Sequence, residues 1–237
     1  MKHFGTGEVE HKMKKISVAI DGPSGAGKST VSRAAAQRLG FVYVDTGAIY
    51  RTIGLYVMRA GCASDDAEAI ERLLPDVKID IVYKDGVQHM LLCGEDVSEQ
   101  IRTPEASKYA SDVSAVPAVR AALLDMQRSF AEKYDVIMDG RDIGTVVLPD
   151  ADVKIFLTAA VETRAKRRYD ELTAKGERVV FEDVLNDMKL RDYNDSHRRI
   201  APLRRADDAR EIDTTGVGFE QAVELVCAAI NEVRNVL

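Results

Sequence analysis

Ile16-Ser17-Val18-Ala19-Ile20-Asp21-Gly22-Pro23-Ser24-Gly25-Ala26-Gly27-Lys28-Ser29 is the stretch from which the fold can be read. Ile16 to Ile20 is short, mostly apolar and rich in β-branched residues, and Asp21-Gly22-Pro23 stops it, the pattern of a buried parallel strand entering a turn. Ser29 to Leu39 then reads as a helix. Between them, Gly22, Gly27, Lys28 and Ser29 match G-x-x-x-x-G-K-[ST]. In that pattern glycine-rich backbone turns its N–H groups toward an anion at the positive end of a helix. Average residue usage makes a chance match in a chain this long an event on the order of one per cent. The loop therefore reads as a grip for nucleoside triphosphate, with Lys28 reaching the β and γ phosphates and the Ser29 hydroxyl ligating the Mg2+ that bridges them.

Outward from the loop, Gly40 closes the first helix and Phe41 to Val44 forms a second strand. Thr46 is placed to cap a long helix carrying Ile49, Ile53, Leu55 and Val57. The β-α-β-α order predicts an α/β fold with a parallel sheet wrapped by helices. Between about Val77 and Thr103 the rhythm changes: Lys78 to Tyr83 alternates, Lys84-Asp85-Gly86 turns, and Val87 to Cys93 returns, which predicts a small antiparallel insert. Helical patterns resume at Glu105 to Ser114 and run from Pro117 to about Tyr134. Strands at Val136 to Met138 and Val153 to Leu157 follow, then helices at Val161 to Thr173 and Phe181 to His197, and a strand-helix pair from Glu211. The longest loops are expected near Gly144 to Asp150 and Ala201 to Arg210.

The 237 residues suit one domain with an insert, and 46% hydrophobic with 30% charged residues is ordinary for a globular protein. A net charge of −6 argues against a nucleic-acid or anionic-membrane binder held by bulk charge. Cys62, Cys93 and Cys227 are odd in number and lack C-x-x-C spacing, so they suggest neither a disulfide framework nor a zinc site. No run approaches the roughly 18 apolar residues of a membrane helix, and the N-terminus lacks the apolar core of a signal peptide, so a cytoplasmic location is expected. Residues 1–15 read as a flexible polar leader, with Met13 a candidate natural start.

A triphosphate loop alone does not separate a kinase from a switch GTPase or a motor ATPase. The guanine-reading N-K-x-D is absent, and the chain is too small for most motor modules, so a small-molecule kinase leads. A kinase whose acceptor is itself a phosphate must hold two anions in line, and fixed positive charge has to offset their repulsion. Arg51 and Arg141 follow strands at the carboxyl edge of the expected sheet, where ligands of open α/β sheets bind. Arg164, Arg167 and Arg168 cluster on a later helix; a phosphate-binding role is favoured there, with pairing to Glu162 or Glu171 as the alternative. Arg191, Arg198 and Arg199 lie on or just beyond the next helix. Acidic residues interspersed from Asp170 to Asp187 argue against a nucleic-acid patch.

With Asp45-Thr46-Gly47-Ala48-Ile49-Tyr50-Arg51 after the loop, and Asp139-Gly140-Arg141-Asp142-Ile143-Gly144-Thr145-Val146-Val147 later, the chain resembles bacterial cytidylate kinases. The likeness runs from Ile16 to the C-terminus and includes Val153 to Leu157 and Ala201-Pro202-Leu203. It implies transfer of the γ-phosphoryl of ATP to CMP or dCMP with Mg2+ by a monomer. It also implies a P-loop core with a five-stranded parallel sheet, a nucleoside-monophosphate insert at about 76–104 and a helical lid at about 160–180. Gly22, Pro23, Ser24, Gly25, Ala26, Gly27, Lys28, Ser29, Thr30 and Arg167 would then hold ATP. The resemblance puts the CMP phosphate against Thr46, Arg51 and Arg141, the sugar against Arg191 and Asp195, and the base against Ser111, Arg120 and Asp142. Arg198, with the 164–168 cluster, would close on the transferring phosphates, and Lys28, Arg141 and Arg198 would carry catalysis. Thr46 stands where a serine is common and keeps the hydroxyl.

The implied base site is chemically coherent. Cytosine offers an amine donor at N4 and acceptors at N3 and O2, which a carboxylate with hydroxyl and guanidinium donors complements; uracil reverses two of those polarities. Two alternatives remain: a kinase for another small acceptor such as UMP, AMP or shikimate, and a P-loop regulator that hydrolyses triphosphate slowly.

Overall fold

The computed structural model describes residues 14–236; of the leader expected over 1–15, all but Lys14 and Lys15 lies outside the described residues. Five parallel strands form the central sheet: β1 (Ser17–Asp21), β2 (Val42–Asp45), β6 (Val136–Gly140), β7 (Val153–Thr158) and β8 (Arg210–Asp213), in the order β2-β6-β1-β7-β8. β1 is central because it is apolar on both faces: Val18, Ala19 and Ile20 are wholly buried. In register, Asp21 sits beside Gly140 of β6, and Asp45 of β2 sits beside Asp139, so three strand ends open side by side.

Helices cover both faces. On one, α1 (Lys28–Leu39) and α8 (Phe219–Arg234) pack over Val18, Ile20, Ile137 and Ile155. On the other, α2 (Thr46–Arg59) and α5 (Pro117–Lys133) enclose Ala19, Val44, Ile49, Val119 and Met138. α4 (Pro104–Val113) lies so close to α2 that a side chain on Gly54 would meet the Ala110 amide nitrogen at 2.9 Å. The short α3 (Ala67–Leu73), absent from the sequence reading, packs Ile70 into the same core.

The insert is a three-stranded antiparallel sheet, β3 (Ile79–Lys84), β4 (Val87–Leu92) and β5 (Glu95–Asp96), one short strand more than the alternation showed. It is tied to the core at the end of β2, where the Gln88 side chain accepts from the Asp45 amide at 2.8 Å and donates to the Asp45 carbonyl at 3.3 Å. The Tyr83 hydroxyl donates to the Tyr43 carbonyl at 2.8 Å. Across the sheet, α6 (Val161–Ala174) and α7 (Phe181–His197) form a helical pair around Ala165, Leu185 and Met188.

Two local expectations are corrected. Asp45, not Thr46, caps α2: its carboxylate accepts from the Ala48 amide at 2.8 Å, and Thr46 is the first helical residue. Part of the loop expected at Gly144 to Asp150 is a wide helical turn, Ile143–Val147, built on the Asp142 and Ile143 carbonyls. Among the described residues no helix is long and apolar enough to cross a membrane.

Candidate active site

The loop after β1 is shaped by glycine. A side chain on Gly22, whose φ is 151°, would lie 1.9 Å from the Leu157 carbonyl oxygen of β7, so only hydrogen fits. Gly27, with φ 91°, turns the chain into α1 without a side-chain cap, leaving the first amides of that helix facing the cleft. The Lys28 ammonium folds back to the Pro23 carbonyl at 2.7 Å. Burial, and then the Arg141 charge, pull its pKa well below the ordinary lysine value.

Ser29 donates to Asp139 at 2.9 Å, and the Tyr43 hydroxyl donates to the other oxygen of that carboxylate at 2.8 Å. Burial, with the neighbouring charge of Asp45, pushes Asp139 up to about 6. Asp21 is also pushed to about 6 by burial, against the pull of the Ile143 and Gly144 amides, which donate to its two oxygens at 2.8 Å each. These bonds fix the turn that follows Arg141-Asp142. The sequence reading had singled out neither carboxylate.

One cleft of about 980 Å3 runs from this loop across the strand ends to the insert. Of the residues expected to bind nucleotide, all line it except Gly22, Pro23 and Ala26, which lie in the loop wall. Thr46 donates to the Asp139 carbonyl at 2.7 Å, and Arg51 pairs with Asp45 at 3.0 Å. Arg141 donates to Asp195 at 2.8 Å. Burial raises Asp195, but Arg141 and Arg191 outweigh it and hold the carboxyl below its usual range. Arg191 is half-buried, and its buried Nε has no partner among the described residues. Burial and the Arg141 charge draw its pKa down to about 10, which still leaves the guanidinium charged. Four guanidiniums, Arg51, Arg141, Arg168 and Arg191, thus press on one region of the cleft, with Asp45, Asp195 and Glu171 paired to the first three.

Farther in, Asp142 is buried between Arg120, in a close ion pair, and Arg198, whose Nη2 is 3.4 Å away. Burial nevertheless raises its pKa. Ser111 lines the same end of the cleft. Arg198 donates to Ser114 at 3.1 Å and to the Ala201 carbonyl at 2.7 Å, so its guanidinium is engaged beside Asp142, not beside the loop.

The arginine trio of α6 divides. Arg164 is buried and structural: it donates to the Ala159 and Ser24 carbonyls at 2.8 and 3.0 Å and pairs with Asp192. Arg167 donates to the Thr214 carbonyl at 2.8 Å, and its Nη1 lies 3.9 Å from where a side chain on Gly27 would begin. Arg168 pairs with Glu171 one turn away at 2.9 Å.

A family model described as cytidylate kinase matches residues 18–232. A cytidylate kinase of Caldicellulosiruptor saccharolyticus is 51% identical over 214 residues, covering 90% of this chain and 95% of that protein. A cytidylate kinase of Syntrophotalea carbinolica is 49% identical over 223 residues, covering 94% and 95%. Among solved structures, an uncharacterized protein from Eubacterium ventriosum aligns with a TM-score of 0.51 at 15% identity over 92% of this chain and 99% of that one, a likeness of fold alone.

Proposed function

The chain belongs to the cytidylate kinase family, and from that premise we propose how its cleft divides the work of phosphorylating CMP and dCMP with ATP. The observation that carries the reading is the continuity of the cleft from the Lys28 loop, past Arg51, Arg141 and Arg191, to the buried Asp142. It supplies a donor grip, a cationic middle and a polar pocket in line.

On the donor side, the backbone N–H groups of the 22–30 loop, Pro23 excepted, and Lys28 take the triphosphate, with Arg167 alongside. In the middle, Thr46, Arg51 and Arg141 hold the acceptor phosphate, and Arg191 and Asp195 the sugar. Concentrated positive charge offsets the repulsion of the two anions as the γ-phosphoryl moves, so the chemistry is direct in-line transfer by positioning and electrostatics. At the far end, Asp142 accepts from the cytosine amine while Ser111 and Arg120 donate to the ring acceptors. The 4-oxo group of UMP would face a carboxylate there. Arg198, just beyond α7, would reach the transferring phosphates only by leaving Asp142, while the lid of about 160–180 closes over the donor side through Arg167. The insert of about 76–104 forms the opposite wall.

Mg2+ fits Ser29 and Asp139. These are two oxygen donors whose atoms lie 2.9 Å apart, and among the described residues no cluster of three or more acidic, histidine or cysteine side chains competes as a cage. Such a sparse set suits an ion that keeps water and takes further ligands from phosphate. When bound, it neutralises charge on the β and γ oxygens. We take the working unit to be a monomer, as the resemblance to bacterial cytidylate kinases implies. The cytoplasm, which supplies both nucleotides, is the compartment we assign.

A coupled assay offering ATP with CMP, dCMP, UMP, AMP and shikimate in turn tests the reading. CMP and dCMP should be the preferred acceptors. Preference for AMP would defeat the role of Asp142, and ADP release without a phosphorylated acceptor would support the regulatory alternative.

A further inference from the structure

The base pocket is held together by a residue that reads no base. Ser114 ends α4, is only 7% exposed, and is bonded to three of the groups around Asp142. Its hydroxyl donates to the Ser111 carbonyl at 2.7 Å and accepts from Arg198 Nη1 at 3.1 Å. Its carbonyl accepts from Arg120 Nη1 at 3.3 Å. The two guanidiniums that flank the Asp142 carboxylate are therefore both anchored, on their far sides, to one serine.

These bonds are not interchangeable. Arg120 is close to Asp142 and also lies 5.7 Å over the Tyr50 ring, so it has other constraints. Arg198 meets Asp142 only at 3.4 Å, a long contact, and the shorter side-chain bond fixing its guanidinium is the one to Ser114. The hydroxyl has one proton, and Ser111 takes it, so the lone pairs face Arg198. Without the hydroxyl, Arg198 Nη1 would lose its Ser114 acceptor, and the guanidinium, held by its Nε bond to the Ala201 carbonyl at 2.7 Å, could pivot to shorten its 3.4 Å contact with Asp142.

We propose that Ser114 is a positioning residue for acceptor-base selection: it keeps the contact of Arg198 with Asp142 long, at 3.4 Å, so that the carboxylate keeps acceptor capacity for an exocyclic amine. The inference rests on the reading of Asp142 as the base acceptor. A substrate with an amine at that position gains from a carboxylate with spare acceptor capacity; a substrate with an oxo group does not.

The test compares steady-state kinetics of Ser114→Ala, Ser114→Thr and Asp142→Asn with the unaltered protein, using CMP and UMP as acceptors and ATP as donor. Ser114→Ala should lower kcat/KM for CMP about threefold to tenfold, mostly through KM, as expected for loss of one buried hydrogen-bond partner of a charged group. The ratio of kcat/KM for CMP over UMP should fall by a similar factor, while KM for ATP stays within about twofold. Ser114→Thr keeps the hydroxyl and should restore the ratio. A Ser114→Ala variant with an unchanged CMP/UMP ratio, beside an Asp142→Asn variant whose ratio collapses, overturns the role of Ser114 and leaves the base site standing. An unchanged ratio in Asp142→Asn overturns the base site and this inference with it.

Discussion

Lys28, buried at the start of α1, and the half-buried Arg141 that follows β6 are cations close enough to repel, a cost that Asp139, Asp21 and Asp195 offset in part. Lys28→Ala or Arg141→Ala should lower kcat by about 10³ or more, the scale of a lost transition-state charge; retention within tenfold would remove the assigned roles. Asp21 gives a pH test. Its native pKa, about 6, lies above the ordinary 3.8, so its contribution to stability is complete below about pH 4 and is lost as pH rises through 6. Asp21→Asn removes that dependence. The stability of the unaltered protein relative to the variant should therefore fall by on the order of 3 kcal/mol between pH 4 and 7, measured by denaturant unfolding. Residues carried by a motif, such as Lys28 and Ser29, were legible in the sequence. Asp21, Asp139 and Ser114 were not, because an aspartate at a strand end or a serine at a helix end looks like a turn residue until its partner is known. For Ser29 and Asp139 that partner is 110 residues away.

At the scale of elements, the insert is fastened to β2 at the acceptor end of the cleft by Gln88, which holds both backbone groups of Asp45, and by Tyr83, which donates to the Tyr43 carbonyl. Asp45 in turn caps α2 and pairs with Arg51. Gln88→Leu should therefore raise KM for CMP about tenfold while KM for ATP stays within about twofold, a split that steady-state titration of each substrate would show. The strands of the central sheet were readable because a buried parallel strand is a short β-branched run bounded by turn residues. α3 and β5 were missed for a physical reason: seven and two residues carry too little periodicity to stand out, and packing against the core or pairing with β4 specifies them. The cap of α2 was misread by one residue because Asp45 and Thr46 both bear suitable oxygens, and only the fold shows that the Thr46 hydroxyl is engaged with β6.

For the whole molecule, donor and acceptor groups are separate parts of one cleft, so they can be silenced separately. Lys28→Ala should lose most of the thermal stabilisation given by a non-hydrolysable ATP analogue and keep that given by CMP. Differential scanning fluorimetry with each ligand at about 100 times its Kd, where binding adds roughly 2.7 kcal/mol, would show it; loss of both shifts would mean the halves are not independent. The α/β class and the place of the cleft followed from the alternation of strands and helices, but the joining of α5 and the ends of α4 and α7 around Asp142 emerges only when chain segments far apart in sequence meet. The side-by-side strand ends carry a last consequence. Asp21 and Gly140 are paired across β1 and β6, and adjacent strands are spaced roughly 4.8 Å apart by their backbone ladder. The platform from which the two phosphate grips spring is thus a ruler graduated by peptide geometry, which no side-chain substitution can stretch. A change of acceptor would have to come from the helices around Asp142 reshaping the far pocket, while the gauge between donor and acceptor phosphates stays as it is.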